Sequence, residues 1–353
     1  MKKRCVQFIG VVLMLGGLAA AAVESAFQAP LGVRGLNAWV ASFHPWEAAY
    51  ALKNYSQLLE ELSIFGVGGT ASGRLAVEKE FIRSVLAAAN RQDERPRILL
   101  TVANNRRHRI GDRRLLRQWI GTSEGQRRHI HELMRWVDPV DGLDINYENL
   151  FPMDGPRFAV FITQLAQALH ARGKYLSVTV ERNALLYASI DWRDLSTRVD
   201  RIRVMAYPYH YARSRPGAVS PPGVVRLLAE RALKYIPPEK LEIALPLYGF
   251  DWSPQGGKLV TTMRQYRQLT RKPGARVFRD ARTQCARIQY DVKEGKRGKK
   301  RAIRHEVWFE DPQSVAYKVH MLRRMGVAHI GLWQLGVGNI SQLFELIKES
   351  PAS

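Results

Sequence analysis

V-D-G-L-D-I-N-Y-E-N-L, from Val140 to Leu150, is the stretch whose reading decides the fold. Taken as a strand, it sets Gly142, Asp144, Asn146 and Glu148 on one face and Leu143, Ile145 and Tyr147 on the other, because strand side chains alternate. The second face is apolar and calls for a packed layer. The first carries two carboxyl groups and an amide in single file. A buried strand does not line up charges without partners. Either this face looks into a polar cavity at the strand's carboxyl end, or its acids cap a helix or pair with lysine and arginine.

Working outward, short apolar segments alternate with helical patterns on both sides of this strand. Strands are expected at Leu36 to Phe43, Leu62 to Val67, Arg97 to Ala103, Tyr175 to Val180, Arg201 to Tyr207, Leu241 to Leu247 and His329 to Leu335. Helices are expected over Leu115 to Val137, Pro156 to Arg172 and Val224 to Tyr235, the second with Phe158, Phe161, Ile162, Leu165 and Leu169 at helical spacing. Eight strands with intervening helices predict a (β/α)8 TIM barrel over 30–252 and 329–350. A small α+β insertion is expected over 253–328, between strands 7 and 8. It contains a hairpin, Ala286 to Val292 and Ala302 to Phe309, and a returning helix, Asp311 to Met325. The glycine run Gly66-Val67-Gly68-Gly69 is not a dinucleotide fingerprint, since no helix opens at the right spacing.

Composition narrows the setting. The chain has 353 residues, 46% of them hydrophobic, enough for one large core. Met-Lys-Lys-Arg followed by an apolar run and Ala20-Ala21-Ala22 reads as a signal peptide over 1–22, or as an uncleaved anchor if it is retained. The expected location is therefore secreted or periplasmic. Cys5 lies in that segment, leaving Cys285 as a lone buried hydrophobe rather than half of a disulfide. The formal charge of +22 falls to about +19 without Lys2, Lys3 and Arg4, a surface that favours polyanions. The hairpin tip Lys293 to Arg301 and the run Arg106-Arg107-His108-Arg109 are the densest basic segments. Each is either a solvated loop or a grip on an anionic polymer. No metal-ligand spacing and no nucleic-acid module is visible, so neither a cofactor nor a specific nucleic-acid partner is expected, and the chain is expected to be a monomer.

The central stretch resembles the D-G-x-D-x-D-x-E signature of glycoside hydrolase family 18, the chitinase-like enzymes. Further segments resemble the family in the same order: V-M-A-Y-P-Y-H-Y (Val204 to Tyr211), A-L-P-L-Y-G-F-D-W (Ala244 to Trp252), E-V-W-F-E-D (Glu306 to Asp311) with Ser314 and Lys318, and G-L-W-Q-L-G (Gly331 to Gly336). The flavour is that of the spore-cortex peptidoglycan N-acetylglucosaminidases. The resemblance implies a retaining reaction on a GlcNAc-containing polysaccharide, with Glu148 as general acid and the substrate's own acetamido oxygen as nucleophile. Asp144 would supply charge to the acid, Tyr207 a hydrogen bond to the acetamide, and Trp333 an aromatic floor. Met205, Trp39 and Trp252 are expected around the sugar, and Asn104, Asn105 and His210 at neighbouring strand ends. Two departures stand out. Asn146 occupies the family's middle Asp, and Pro208 the Asp of M-x-Y-D. An amide brings no negative charge to an oxazolinium ion, and losing such a contact typically costs roughly 10²–10³ in rate. Glu181 closes the fifth strand beside Glu148 and either restores a carboxylate to the cleft or pairs with Arg182. The same departures fit a second expectation, a catalytically weak glycan-binding barrel.

Overall fold

The computed structural model describes residues 35–43, 45–91, 95–107, 109–187, 190–294 and 301–348. The expected signal segment, His108 and the tip residues 295–300 lie outside the described residues. The strands in chain order are β1 (Leu36–Ala41), β2 (Glu61–Gly69), β3 (Leu75–Val77), β4 (Arg97–Ala103), β5 (Gly142–Asn146), β6 (Tyr175–Glu181), β7 (Arg201–Met205) and β8 (Leu241–Pro246), then β9 (Gly249–Ser253), β10 (Gly256–Val260), β11 (Arg276–Arg279), β12 (Ala286–Glu294), β13 (Arg301–Phe309) and β14 (His329–Trp333).

Eight strands run parallel in the order β1-β14-β8-β7-β6-β5-β4-β2, and β1 pairs with β2 to close the barrel. This is the expected (β/α)8 fold, with β3 added antiparallel to β2 beyond the glycine run. A second sheet, β10-β9-β13-β12-β11, is antiparallel throughout. Glu310 ties that sheet to the barrel: its carboxylate meets Lys318 Nζ at 2.5 Å and accepts the Ser220 N–H at 2.9 Å, all three residues being buried. Cys285 is fully buried, as a small hydrophobe would be.

Strand alternation divides the barrel into two chemistries. The outward residues of β5, Leu143 and Ile145, join those of the other strands and the helices in one apolar layer. Tyr147 belongs to this layer, with its hydroxyl on His129 Nε2 at 2.5 Å and Trp119 stacked on the His129 ring. Burial pushes the His129 imidazole down to about 3, so it is neutral there. Several boundaries shift by a few residues, the second sheet begins at Gly249, and two of the differences bear on the site. The helix expected over 115–137 is two helices, Arg113–Ile120 and Ser123–Met134. Thr122 turns extended between them and its hydroxyl accepts the Gly125 N–H, so a local cap outcompetes a continuous helix. The central strand ends at Asn146, which leaves Glu148 on the loop that follows it.

Candidate active site

The inward residues of the barrel form a charged network. Glu61 meets Arg201 and Arg203, each at 2.6 Å, and Arg97 at 2.8 Å. Arg203, only 1% exposed, also reaches Glu242 at 3.2 Å and the Ser63 hydroxyl at 2.5 Å. Asp144 sits above it and accepts four hydrogen bonds: Trp39 Nε1–H at 3.1 Å and Thr101 at 2.9 Å on one oxygen, Ser177 at 2.7 Å and Thr179 at 2.8 Å on the other. Its lone pairs are therefore committed to the protein, and Asp144 acts as a seat for Trp39 beneath the opening. Gly331 makes room for this seat. A Cβ there would stand 2.2 Å from Glu242 Oε1 and 2.8 Å from the Trp39 ring.

Above the network, three strand ends deliver one side chain each by the same rule. Glu148, Tyr207 and Tyr248 each stand two residues past their strand, β5, β7 and β8, so the inward alternation carries them to the mouth. Glu148 is held by its main chain. Asn104 accepts its N–H at 2.8 Å and donates to its C=O at 3.0 Å. The next residue, Asn149, takes a left-handed φ of 60° and gives its N–H to Glu181 Oε2 at 2.6 Å. Gly111, with φ 61°, closes on the same turn, where a Cβ would come 3.1 Å from Glu148 Cβ. Burial first, and the nearby Glu181 carboxylate second, push the Glu148 carboxyl up to about 7. Glu181 is itself raised, mainly by burial. The Tyr207 hydroxyl is raised well above the tyrosine range, by burial and then by Tyr248 and Glu148, so it stays a donor.

The floor is aromatic. Trp333, half-buried at the end of β14, meets Phe65 edge-on at 5.1 Å and Trp39 at 6.1 Å between ring centroids. Met205, Tyr207 and Tyr248 pack in the same cluster. Asn146 is 3% exposed, and its Oδ1 has no hydrogen-bond partner among the described residues.

The structure thus gathers Glu148, Asn146, Glu181, Tyr207, Met205 and Trp333 at one mouth. It places others elsewhere. Trp39 is 1% exposed and spends its indole N–H on Asp144, so it backs the floor without presenting a face. Trp252, buried in the same aromatic cluster, gives its indole N–H to the Tyr211 carbonyl at 3.3 Å. His210 turns to the Arg215 carbonyl at 3.1 Å, in its own loop. Asn104 is spent on the Glu148 backbone, and the Asn105 side chain accepts the Gly111 N–H at 2.9 Å. Arg106 pairs with Asp112 at 2.7 Å, while Arg107 and Arg109 are exposed. Tyr248 and Phe65 were not singled out in sequence. Tyr248 stands two residues past β8, as Glu148 and Tyr207 stand past β5 and β7. A hollow of about 650 Å³ at the opposite end of the barrel is lined in part by Arg95, Asp141, His170 and Asp200, whose polar groups are paired with one another, Arg95 with Asp141 and His170 with Asp200.

Comparison with known proteins agrees with the fold. The family model of the glycosyl hydrolases of family 18 matches residues 120–337. The chain is 30% identical over 205 residues to the putative sporulation-specific glycosylase YdhD of Bacillus subtilis (strain 168), covering 56% of this chain and 47% of that protein. It is 26% identical over 244 residues to the cortical fragment-lytic enzyme of the same organism, covering 64% of this chain and 55% of that one. The chain thus spans about half the length of the curated relatives it matches. The spore cortex-lytic enzyme SleL of Bacillus cereus shares the fold with a TM-score of 0.77 at 22% identity, over 89% of this chain and 73% of that one. A chitinase from Chromobacterium violaceum ATCC 12472 does so at 0.76 and 21%, over 89% of this chain and 98% of that one.

Proposed function

This chain belongs to the glycosyl hydrolases of family 18, and we propose that it hydrolyses β-linked N-acetylglucosaminyl bonds in a glycan of peptidoglycan or chitin type. The observation that carries the reading is Glu148. It is a carboxyl at the barrel mouth, mounted by its main chain, held near neutrality in its protonation, and facing an aromatic floor. The proton passes from Glu148 to the glycosidic oxygen as the bond from that oxygen to C1 breaks. The substrate's acetamido oxygen takes up C1 and forms an oxazolinium ion. Water then attacks C1 and breaks its bond to the acetamido oxygen, which returns to the acetamide carbonyl, while the Glu148 carboxylate takes the water's proton; this restores the acid and retains configuration. Tyr207 donates to the acetamido oxygen. The unpartnered Asn146 Oδ1 accepts the acetamido N–H, which answers a buried acceptor that otherwise goes unpaired. Trp333 supplies the platform for the flat face of the sugar.

Peptidoglycan is favoured over chitin by the relatives, two of which carry the names sporulation-specific glycosylase and cortical fragment-lytic enzyme. A basic chain suits an anionic wall polymer, and the tip from Lys293 to Arg301 adds to that charge. No helix among the described residues is long and apolar enough to cross a membrane. With the basic, apolar amino-terminal run, we place the protein outside the cytoplasm. Asn146, with no charge to offer the oxazolinium, supports a second reading, a glycan-binding barrel of low turnover. Incubation with purified peptidoglycan and chitin oligomers, with products read by mass spectrometry, separates the two. Parent protein should release GlcNAc-ended products, and Glu148→Gln should release none while keeping its circular dichroism. Equal turnover in that variant refutes the role of Glu148. Binding without products from the parent supports the second reading.

A further inference from the structure

Glu181 has no role in the mechanism above, yet it is built into the site as closely as the acid. The β5–β6 register pairs Asn146 with Thr179. Two residues further on, each chain arrives at a carboxyl group, Glu148 on one side and Glu181 on the other. Adjacent strands lie roughly 4.8 Å apart, so these are neighbouring positions. Glu181 is fixed in place: one of its oxygens accepts the Asn149 N–H at 2.6 Å, from the residue that follows the acid. The left-handed backbone of Asn149 turns that N–H toward it, and the Asn149 side chain is tied to the Gly111 carbonyl at 2.9 Å. Other groups around the acid cannot do the same work. Asn104 touches only its main chain, Tyr207 and Tyr248 are neutral, and Asn146 is an amide. Asp144 is saturated by four donors. The nearest cation on the same strand end, Arg182, acts on Glu181 and lies 5.3 Å over the Tyr209 ring.

We infer that Glu181 is the positioning residue that keeps the proton on Glu148 between turnovers, acting from the neighbouring strand because Asn146 carries no charge to do so. The inference rests on the hydrolase reading for its purpose, not for its physics. In the resting site one proton serves the two carboxyl groups. It resides on Glu148, whose side chain has no hydrogen-bond partner among the described residues, while Glu181 is anionic and bonded to Asn149. When Glu148 gives its proton to the leaving oxygen, the two carboxylates stand side by side. Their repulsion then draws the proton of the attacking water back onto Glu148.

The test is Glu181→Gln, which keeps an oxygen for the Asn149 N–H and removes only the charge. With a GlcNAc oligosaccharide as substrate, the basic limb of the kcat/KM profile should move down by about one pH unit, so that the rate at pH 8 falls about tenfold, the scale of one neighbouring charge. The loss at pH 8 should exceed the loss at pH 5 by at least about threefold. Glu181→Asp should recover part of the shift. A uniform loss across the profile would mean a purely structural role and overturns the inference. Independently of activity, the carboxyl ¹³C shift of Glu148 titrated by NMR should show its midpoint lowered in Glu181→Gln. An unmoved midpoint overturns the inference whether or not the protein cleaves anything. A lowered midpoint in a protein that cleaves no glycan would uphold the coupling and refute only the hydrolase reading.

Discussion

Asp144→Asn changes a single atom, yet the structure assigns it a large effect. The parent carboxylate accepts four hydrogen bonds, two on each oxygen, with no exposure to solvent. An amide accepts on one oxygen only. Whichever way it is turned, its NH2 faces two donors, either Trp39 with Thr101 or Ser177 with Thr179. Two buried bonds to a charged acceptor are lost, each worth about 1.5–3 kcal/mol, and Arg203, 3.7 Å away, loses one of its counter-charges. Rotation of the freed hydroxyls recovers part of this, which leaves about 3 kcal/mol of destabilisation. For a chain of this size, at about 2–3 °C per kcal/mol, the melting temperature should drop by roughly 6–9 °C. Thermal unfolding followed by circular dichroism measures it, with Ser177→Ala as the single-bond comparison, expected at about a third of the loss. A drop under about 2 °C for Asp144→Asn would show that the network is not closed around a carboxylate, and would refute the seat described here.

Three further outcomes are expected. Asn146→Asp adds a carboxylate beside the developing oxazolinium and should raise the turnover of a GlcNAc substrate about tenfold. As a second negative charge beside Glu181 it should also lift the basic limb of the pH profile; a fall in turnover would mean that the amide is the better partner for the acetamide here. Gly331→Ala puts a methyl 2.2 Å from Glu242 Oε1 and 2.8 Å from Trp39, so it should cost about 1–3 kcal/mol in urea unfolding and lower kcat through the displaced floor. Burial alone would raise the Glu61 carboxyl, but Arg203 and Arg201 hold it down at about 2, against 4.5 when free. Its contribution to stability is thus complete above pH 4.5 and lost as the pH falls toward 2; urea midpoints should decline over that window, and less steeply in Glu61→Gln.

The central strand and its order among apolar neighbours were enough to read the barrel, because outward alternation is a local property. The inward charges were not legible. Nothing in Arg201-Ile-Arg-Val-Met names a partner for its arginines, and only closure of the barrel brings Arg201 and Arg203 within 2.6 Å of Glu61, some 140 residues earlier. The site followed the same division. Glu148 was legible from its strand face and the signature it resembles, and Tyr207 and Trp333 from the resemblance of their segments to family 18. Trp252 lies within β9 of the second sheet and His210 on the loop past β7, and each directs its polar atom to a nearby carbonyl. Asp144 looked like a cleft residue because its strand face is shared with Glu148. Its depth in the barrel, two side-chain repeats below Glu148 with Asn146 between, separates a mount from a mouth.

The mounting of Glu148 bears on how the molecule can work repeatedly. Asn104 and the Asn149 turn grip the peptide on both sides of the acid. None of those bonds involves the atoms that change charge. A carboxyl oriented through its own oxygens would have to break and remake those contacts whenever its proton left or returned. Here the skeleton can stay still while the side chain cycles, so little of the barrier need be spent on rearranging the protein.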